Sequence, residues 1–179
     1  MDSRRFTVAV IALIAVTVLA SLVYADLSTG VKAPGFTLPT LNGKSITLAS
    51  CFAKEPRVVV LDIWATWCPP CRAEIPYLVK LSKKYSDKGL TIVGVALDQR
   101  KSDVTAFVKN QKINYTIALD PNAETVGSKY EVKGIPATYV IDKQGVVRYV
   151  HSGFPRSPDE GKKEAAKIES EVKTLLAEK

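Results

Sequence analysis

Cys68-Pro69-Pro70-Cys71 is the segment of this 179-residue chain whose residue types and spacing most plainly imply chemistry. Cysteine reacts as its thiolate, so a site that uses it must stabilise negative sulfur. The apolar run Val58-Val59-Val60-Leu61 ahead of the pair reads as a strand covered on both faces. Helical spacing begins at Pro69, so the cysteines fall where a strand hands over to a helix. A helix N-terminus supplies unpaired N–H groups and the positive end of the helix dipole. Proline fits there because its missing N–H would have had no partner. Two intervening residues return the second sulfur beneath the first, within disulfide reach. On this reading Cys68 is the exposed nucleophile, and Cys71, one helical turn on, is the buried thiol that resolves a mixed disulfide. Two blander readings stay open: a purely structural disulfide, or half of a zinc site. Structural zinc wants four ligands, and beyond the pair the chain offers only Cys51 and its single histidine, His151, as further soft donors.

Two acids flank the pair. Asp62 lies within the Val/Leu-rich strand, where a carboxylate is costly unless it is paired or protonated; a solvated strand end is the alternative. Glu74 follows Cys71 by three residues and returns to the same helix face; here the alternative is a solvated first-turn acid. Cys51 reads as a buried, hydrophobe-like thiol. His151 closes a strand with no cysteine or carboxylate beside it in sequence and reads as an ordinary surface or half-buried residue.

The elements that must hold these groups follow from the patterning. Phe36-Thr37-Leu38 and Ser45-Ile46-Thr47 flank Asn42-Gly43, a hairpin turn signal. Strands are expected over 57–63, 90–97, 115–119, 137–141 and 146–150, the last two joined by a turn at 142–145. Helices are expected over 69–85, from a cap at Ser102 to about residue 110, over 123–130, and over 158–178 with Ile168, Val172, Leu175 and Leu176 on one face. Strands and helices alternate and a hairpin with a terminal helix closes the chain, which implies a mixed sheet with helices on both faces. The charged run 162–173 reads as the solvated side of the last helix.

Residues 6–25 form 20 uncharged positions behind Arg4 and Arg5. That is the pattern of an export signal, with Val23-Tyr24-Ala25 as a cleavage site, and it is also long enough for a retained membrane anchor. Either way the remainder is exported, periplasmic or otherwise extracytoplasmic. The organisation expected is a signal or anchor at 1–25, a linker at 26–35 and one domain at 36–179. The formal charge of +7 permits anionic partners. The basic residues are scattered and no aromatic platform accompanies them, so nucleic acid is not expected. With one histidine, a His-rich metal site is excluded, and no metal or cofactor is expected beyond the cysteine pair.

Trp64-Ala65-Thr66-Trp67-Cys68-Pro69-Pro70-Cys71-Arg72-Ala73-Glu74 resembles the active-site segment of the TlpA/ResA-like thiol-disulfide oxidoreductases, a branch of the thioredoxin superfamily. Gly134-Ile135-Pro136-Ala137-Thr138 resembles the segment that carries the superfamily's cis-proline. Ala33-Pro34-Gly35-Phe36-Thr37-Leu38 and Leu41-Asn42-Gly43-Lys44 resemble the N-terminal hairpin of redoxin-type members. The resemblance implies an α/β thioredoxin-like fold with an N-terminal β-hairpin and a central insertion, preceded by the apolar segment. It implies catalytic roles for Cys68, Cys71, Asp62 and Glu74. Asp62, six residues before Cys68, takes the place of the buried acid that manages the second cysteine's proton, and Glu74 that of the acid that shapes thiol acidity. Trp67, Pro69, Pro70, Ile135 and Pro136 would form the substrate-binding surface, with Trp67 walling the sulfur and the Ile135 backbone pairing with a substrate chain as a short added strand.

No histidine lies between the cysteines, so a reductant is expected rather than a strong oxidant. Its partners would be disulfide-bearing proteins, apocytochrome c among them, and a membrane electron donor. Two rival functions are a peroxidase and a Cu(I) chaperone. The Pro-x-x-x-Thr-x-x-Cys pattern of peroxiredoxins is missing, because Leu61 and Ala65 stand at its Pro and Thr positions. A copper site would want a third soft ligand, and His151 is the only imidazole.

Overall fold

The computed structural model describes residues 27–53 and 55–178; the apolar stretch at 6–25, with its signal or anchor reading, lies outside them. The chain forms β1 (Thr37–Pro39) and β2 (Ser45–Thr47), a 3-10 turn at Ala49–Cys51, β3 (Val58–Trp64), α1 (Pro69–Tyr85), β4 (Leu90–Ala96), α2 (Lys101–Gln111) and β5 (Thr116–Leu119). After a 3-10 turn at Pro121–Ala123 come α3 (Val126–Lys129), β6 (Ala137–Ile141), β7 (Val147–Ser152) and α4 (Pro158–Ala177). Five strands make one sheet in the order β5-β4-β3-β6-β7. β3, β4 and β5 run parallel, and β6 and β7 complete it antiparallel. This is the thioredoxin-like α/β arrangement expected, a mixed sheet with helices on both faces.

β3 is the central strand, and all seven of its residues are buried. Its period-two alternation divides the core. Val59, Leu61 and Ile63 face a cluster built with Phe36, Leu38, Val126, Tyr130 and Tyr139. Val58 and Val60 face α1 and α4 through Leu78, Leu81, Ile168, Val172 and Leu175. Asp62 shares the parity of Val58 and Val60, so the register turns its carboxylate toward the helices. A third cluster gathers Trp64, Cys68, Cys71, Ile75, Ala96 and Val104 around the start of α1.

Gly94 on β4 is Asp62's partner across the parallel pair. A Cβ there would stand 2.8 Å from Ile117 Cδ1 and 2.9 Å from Trp64 Nε1. Only hydrogen fits where those side chains close over the strand.

The N-terminal stretch ties the two edges of the sheet together. Gly30 N donates to Val147 O at 2.7 Å and Val147 N to Val31 O at 2.9 Å, at the start of β7. At the opposite edge Leu41 N donates to Ile117 O at 3.1 Å, and Thr40 bridges Ala118 of β5. The stretch 26–35, expected as a linker, is thus hydrogen-bonded to the sheet from residue 30.

The hairpin expected at Asn42-Gly43 forms, its β1–β2 connection running over residues 40–44 with Gly43 at φ 80° where a side chain would be strained. Two local expectations are corrected. α2 begins at Lys101 with Arg100 as its N-cap, so Ser102 is not the cap; its hydroxyl turns to the Asp103 carboxylate instead. The third helix, expected over 123–130, covers only Val126–Lys129. Asp120 accepts from the Thr125, Val126 and Gly127 amides, fixing where its first turn begins.

Candidate active site

Cys68 and Cys71 form a disulfide, with an S–S distance of 2.10 Å. Cys68 is the N-cap of α1, and its Sγ accepts from the Cys71 amide at 3.2 Å. Pro69 and Pro70 occupy the first two helical positions, where no intrahelical donor is lost. Pro76 lies inside the helix and has no N–H for the Arg72 carbonyl one turn back. The disulfide sits at the C-terminal end of β3, the edge of an open α/β sheet where ligand crevices form.

Cys68 is only 4% exposed and Cys71 1%, so the expectation of an openly exposed Cys68 is corrected. Its sulfur is tucked against the Ile135 carbonyl oxygen, 3.6 Å away. The exposed group is Trp67, at 67%, which presents an indole beside the disulfide. Pro69 is exposed and Pro70 half-buried. The Ile135-Pro136 peptide bond is cis, and this segment forms the other wall of the site.

Beneath lies a buried polar row. Asp62 pairs in register with Thr138 of β6, and Thr138 with His151 of β7. Thr138 Oγ1 donates to Glu74 Oε1 at 2.8 Å. Glu74 is 2% exposed and Asp62 1%. Glu74 Oε2 and both Asp62 oxygens have no hydrogen-bond partner, so the ionised form is costly at both acids. Burial pushes Glu74 up to about 7, with the Thr138 hydrogen bond pulling down and the Glu164 charge pushing up. Burial first, then Glu74, hold Asp62 well above the usual carboxylate range. Tyr115, whose hydroxyl is also unpartnered, is raised by burial and by both acids. Both solvated-acid alternatives are therefore set aside: neither carboxylate touches water appreciably.

Cys51 belongs to the core on the opposite face of the sheet, with Leu61 and Tyr130, and burial raises its thiol to about 11. It is not brought to the pair. His151, expected at the surface or half-buried, is buried: its two ring nitrogens meet Glu164 Oε1 and Glu171 Oε2, each at 2.7 Å. The physical reason is that β7 extends through Ser152, which turns the imidazole under α4. Among the described residues no group of three or more His, Cys, Asp or Glu is arranged to hold a metal. No helix among them is long and apolar enough to cross a membrane.

Sequence patterning does not single out Asp98. It is buried just past the end of β4 and accepts from the Thr66 amide and hydroxyl, anchoring the turn that leads into Cys68. Its position beyond the C-terminal end of the strand beside β3 is the signal that could have found it.

The AhpC/TSA family pattern matches residues 29–150, from the N-terminal tie into β7. The chain belongs to the AhpC/TSA family. Within it, this AhpC/TSA member is 36% identical to the thioredoxin-like protein YneN of Bacillus subtilis over 127 residues, 69% of this chain and 71% of that one. It is 34% identical to the thiol-disulfide oxidoreductase ResA of the same organism over 128 residues, 72% of this chain and 69% of that one. Among solved structures, a thiol:disulfide interchange protein of the thioredoxin family from Chlorobium tepidum matches with a TM-score of 0.69 at 31% identity. That match covers 86% of this chain and all of the other, 100%.

Proposed function

We propose that this AhpC/TSA-family chain is a thiol-disulfide oxidoreductase of the ResA and DsbE kind that reduces disulfides in protein substrates outside the cytoplasm. The observation that carries the reading is the Cys68–Cys71 disulfide at the start of α1, set above two buried carboxyls. The names of its relatives, thiol-disulfide oxidoreductase and thiol:disulfide interchange protein, support the same chemistry.

In the forward reaction the Cys68 thiolate attacks one sulfur of a substrate disulfide. A mixed disulfide forms and the substrate's other sulfur leaves as a thiolate. The Cys71 thiol gives its proton to a buried carboxylate and attacks Cys68 Sγ, which releases the second substrate sulfur and leaves the Cys68–Cys71 disulfide. The α1 N-terminus stabilises the Cys68 thiolate. Asp62 is the acceptor of the Cys71 proton, and Glu74 sets thiol acidity; the burial of both supports these roles. A substrate chain lies between the exposed Trp67 indole, with Pro69 and Pro70, and the Ile135-Pro136 segment, where backbone groups can pair with it.

The redox pair is the only cofactor this chemistry needs. Re-reduction falls to a membrane electron donor, and the absence of an imidazole between the cysteines favours a reductant. Apocytochrome c, with paired haem-attachment cysteines, is the substrate proposed. Residues 6–25 serve as a signal or anchor that exports the domain.

Cys68→Ser and Cys71→Ala test the mechanism. The first abolishes insulin reduction, and the second accumulates a mixed disulfide on Cys68 that mass spectrometry of the trapped adduct identifies. Retention of reductase activity by Cys68→Ser would overturn the reading.

A further inference from the structure

α1 and α4 pack through Leu78, Leu81, Ile168 and Val172, but they do not close completely. Two short side chains of α4, Ala165 and Ala166, border a cleft of about 190 Å³ between the helices. One wall is aromatic: Tyr77 and Phe154 stand with ring centroids 5.7 Å apart. Gly161, in the first turn of α4, admits Phe154 to that position, since a Cβ there would lie 3.1 Å from the ring. Leu78 and Ile168 line the cleft as well, so most of what an occupant would touch is apolar.

Two polar features depart from this lining. The first is Glu74, 2% exposed, whose Oε1 accepts from Thr138 while Oε2 has no partner. Glu74 lines the cleft, which therefore adjoins a buried acid whose second oxygen the protein leaves unsatisfied, a costly condition. The second is a set of three lysines, Lys80, Lys84 and Lys162. Lys84 is taken up by Glu169 at 2.6 Å. Lys80 lies 5.5 Å from the Tyr77 ring centroid. Lys162 has Asp159 at 3.8 Å, and both side chains are well exposed, so water screens that pair. With Glu169 neutralised by Lys84, the cleft carries net positive charge from Lys80 and Lys162.

We propose that this cleft binds a small aromatic carboxylate that carries a hydroxyl at the far end of its ring. Each part of that ligand answers a feature of the site. An apolar cavity of about 150 Å³ suffices for benzene, so a single ring fits against Tyr77 and Phe154. A carboxylate at the mouth meets Lys80 and Lys162. A hydroxyl at the inner end both donates and accepts, so it satisfies Glu74 Oε2 whether that acid is ionised or protonated. Binding involves no covalent step. Neither Trp67 nor Ile135 lines the cleft, so the ligand does not occupy the surface proposed for a substrate chain.

The test is calorimetric titration of the oxidised full-length protein with para-hydroxyphenylpropionate, for which saturable binding is expected. Phenylpropionate, which lacks the hydroxyl, should bind about tenfold more weakly, the scale of one hydrogen bond to a buried group. Tyramine, with an ammonium in place of the carboxylate, should bind more weakly than either acid. Lys80→Gln combined with Lys162→Gln should weaken binding about fivefold, as expected for two exposed ion pairs, and remove its dependence on salt. Ala165→Leu fills the cleft with a good helix former and should abolish binding; Ala166→Leu, at the exposed edge, blocks it from the outside and keeps the test valid if the first variant misfolds. No thiol exchange is read in these titrations, so the site and the oxidoreductase reading can fail separately. Absence of saturable binding at about 10 mM, weaker than a well-fitted ligand of this size should show, overturns the site. Equal binding of para-hydroxyphenylpropionate, phenylpropionate and tyramine overturns it too, as does undiminished binding in a folded leucine variant.

Discussion

Replacing Glu74 with glutamine should change the slope of stability against pH more than stability itself. In the folded protein burial lifts this acid from 4.5 to about 7. An acid whose folded value is raised binds more protons folded than unfolded between the two values. Stability from Glu74 is therefore fully present below pH 4.5 and lost as pH rises through about 7. The difference corresponds to about 3 kcal/mol by the usual conversion of 1.36 kcal/mol per pH unit. With a urea dependence of about 1–3 kcal/mol/M, the wild-type midpoint should fall by about 1–3 M between pH 4.5 and 8.5. The amide introduced by Glu74→Gln can still accept from Thr138 but does not ionise, so that part of the fall should vanish. Asp62, raised in the same direction by burial and by Glu74, leaves a residual slope in the variant. The assay is urea unfolding of the oxidised protein across this pH range, wild type beside variant. Parallel curves, offset by a constant, would refute the argument that Glu74 is buried at the expense of its charge.

Two further outcomes are expected. Gly94→Ala should lose about 1–3 kcal/mol in urea unfolding, the cost of forcing a methyl into a closed core, because its Cβ would lie 2.8 Å from Ile117 Cδ1; an unchanged midpoint would show that the wall yields freely. Cys51→Ala should keep full insulin reduction and lose about 1 kcal/mol, the scale of one buried methylene-sized group, since this thiol lies across the sheet from the redox pair; loss of activity would contradict that separation.

The features legible in the sequence are those encoded locally. Val58 to Leu61 declare a central strand by being apolar on both faces, and the Cys-Pro-Pro-Cys spacing declares a helix start by backbone needs alone. Asp62 draws notice as a carboxylate among Val and Leu, and it lies where that anomaly implies, fully buried. His151 is more buried than the surface or half-buried position expected because its partners are 13 and 20 residues away on α4. Those glutamates sit in a run of lysines and acids that reads as a solvated helix side, and only the register of β7 under the helix picks out Glu164 and Glu171 from it. Asp98 escapes notice for a similar reason: its role depends on Thr66, 32 residues earlier, being brought to the neighbouring strand end. Ser102 misleads because a good capping residue near a helix start does not determine which residue the chain bends at.

The stretch from residue 30 to 41 touches both outer strands, at Val147 on one side and Ile117 and Ala118 on the other. A sheet edge left bare is a template for another chain, and here one short segment guards two edges at once. Proteolysis or truncation past Leu41 would therefore expose β5 and the start of β7 together. The shortened protein, its cysteines and acids untouched, should be prone to self-association before it shows any loss of redox chemistry. On the proposal that a substrate chain pairs with the Ile135 segment beside the disulfide, this arrangement would keep strand addition there, away from the flanks of the sheet.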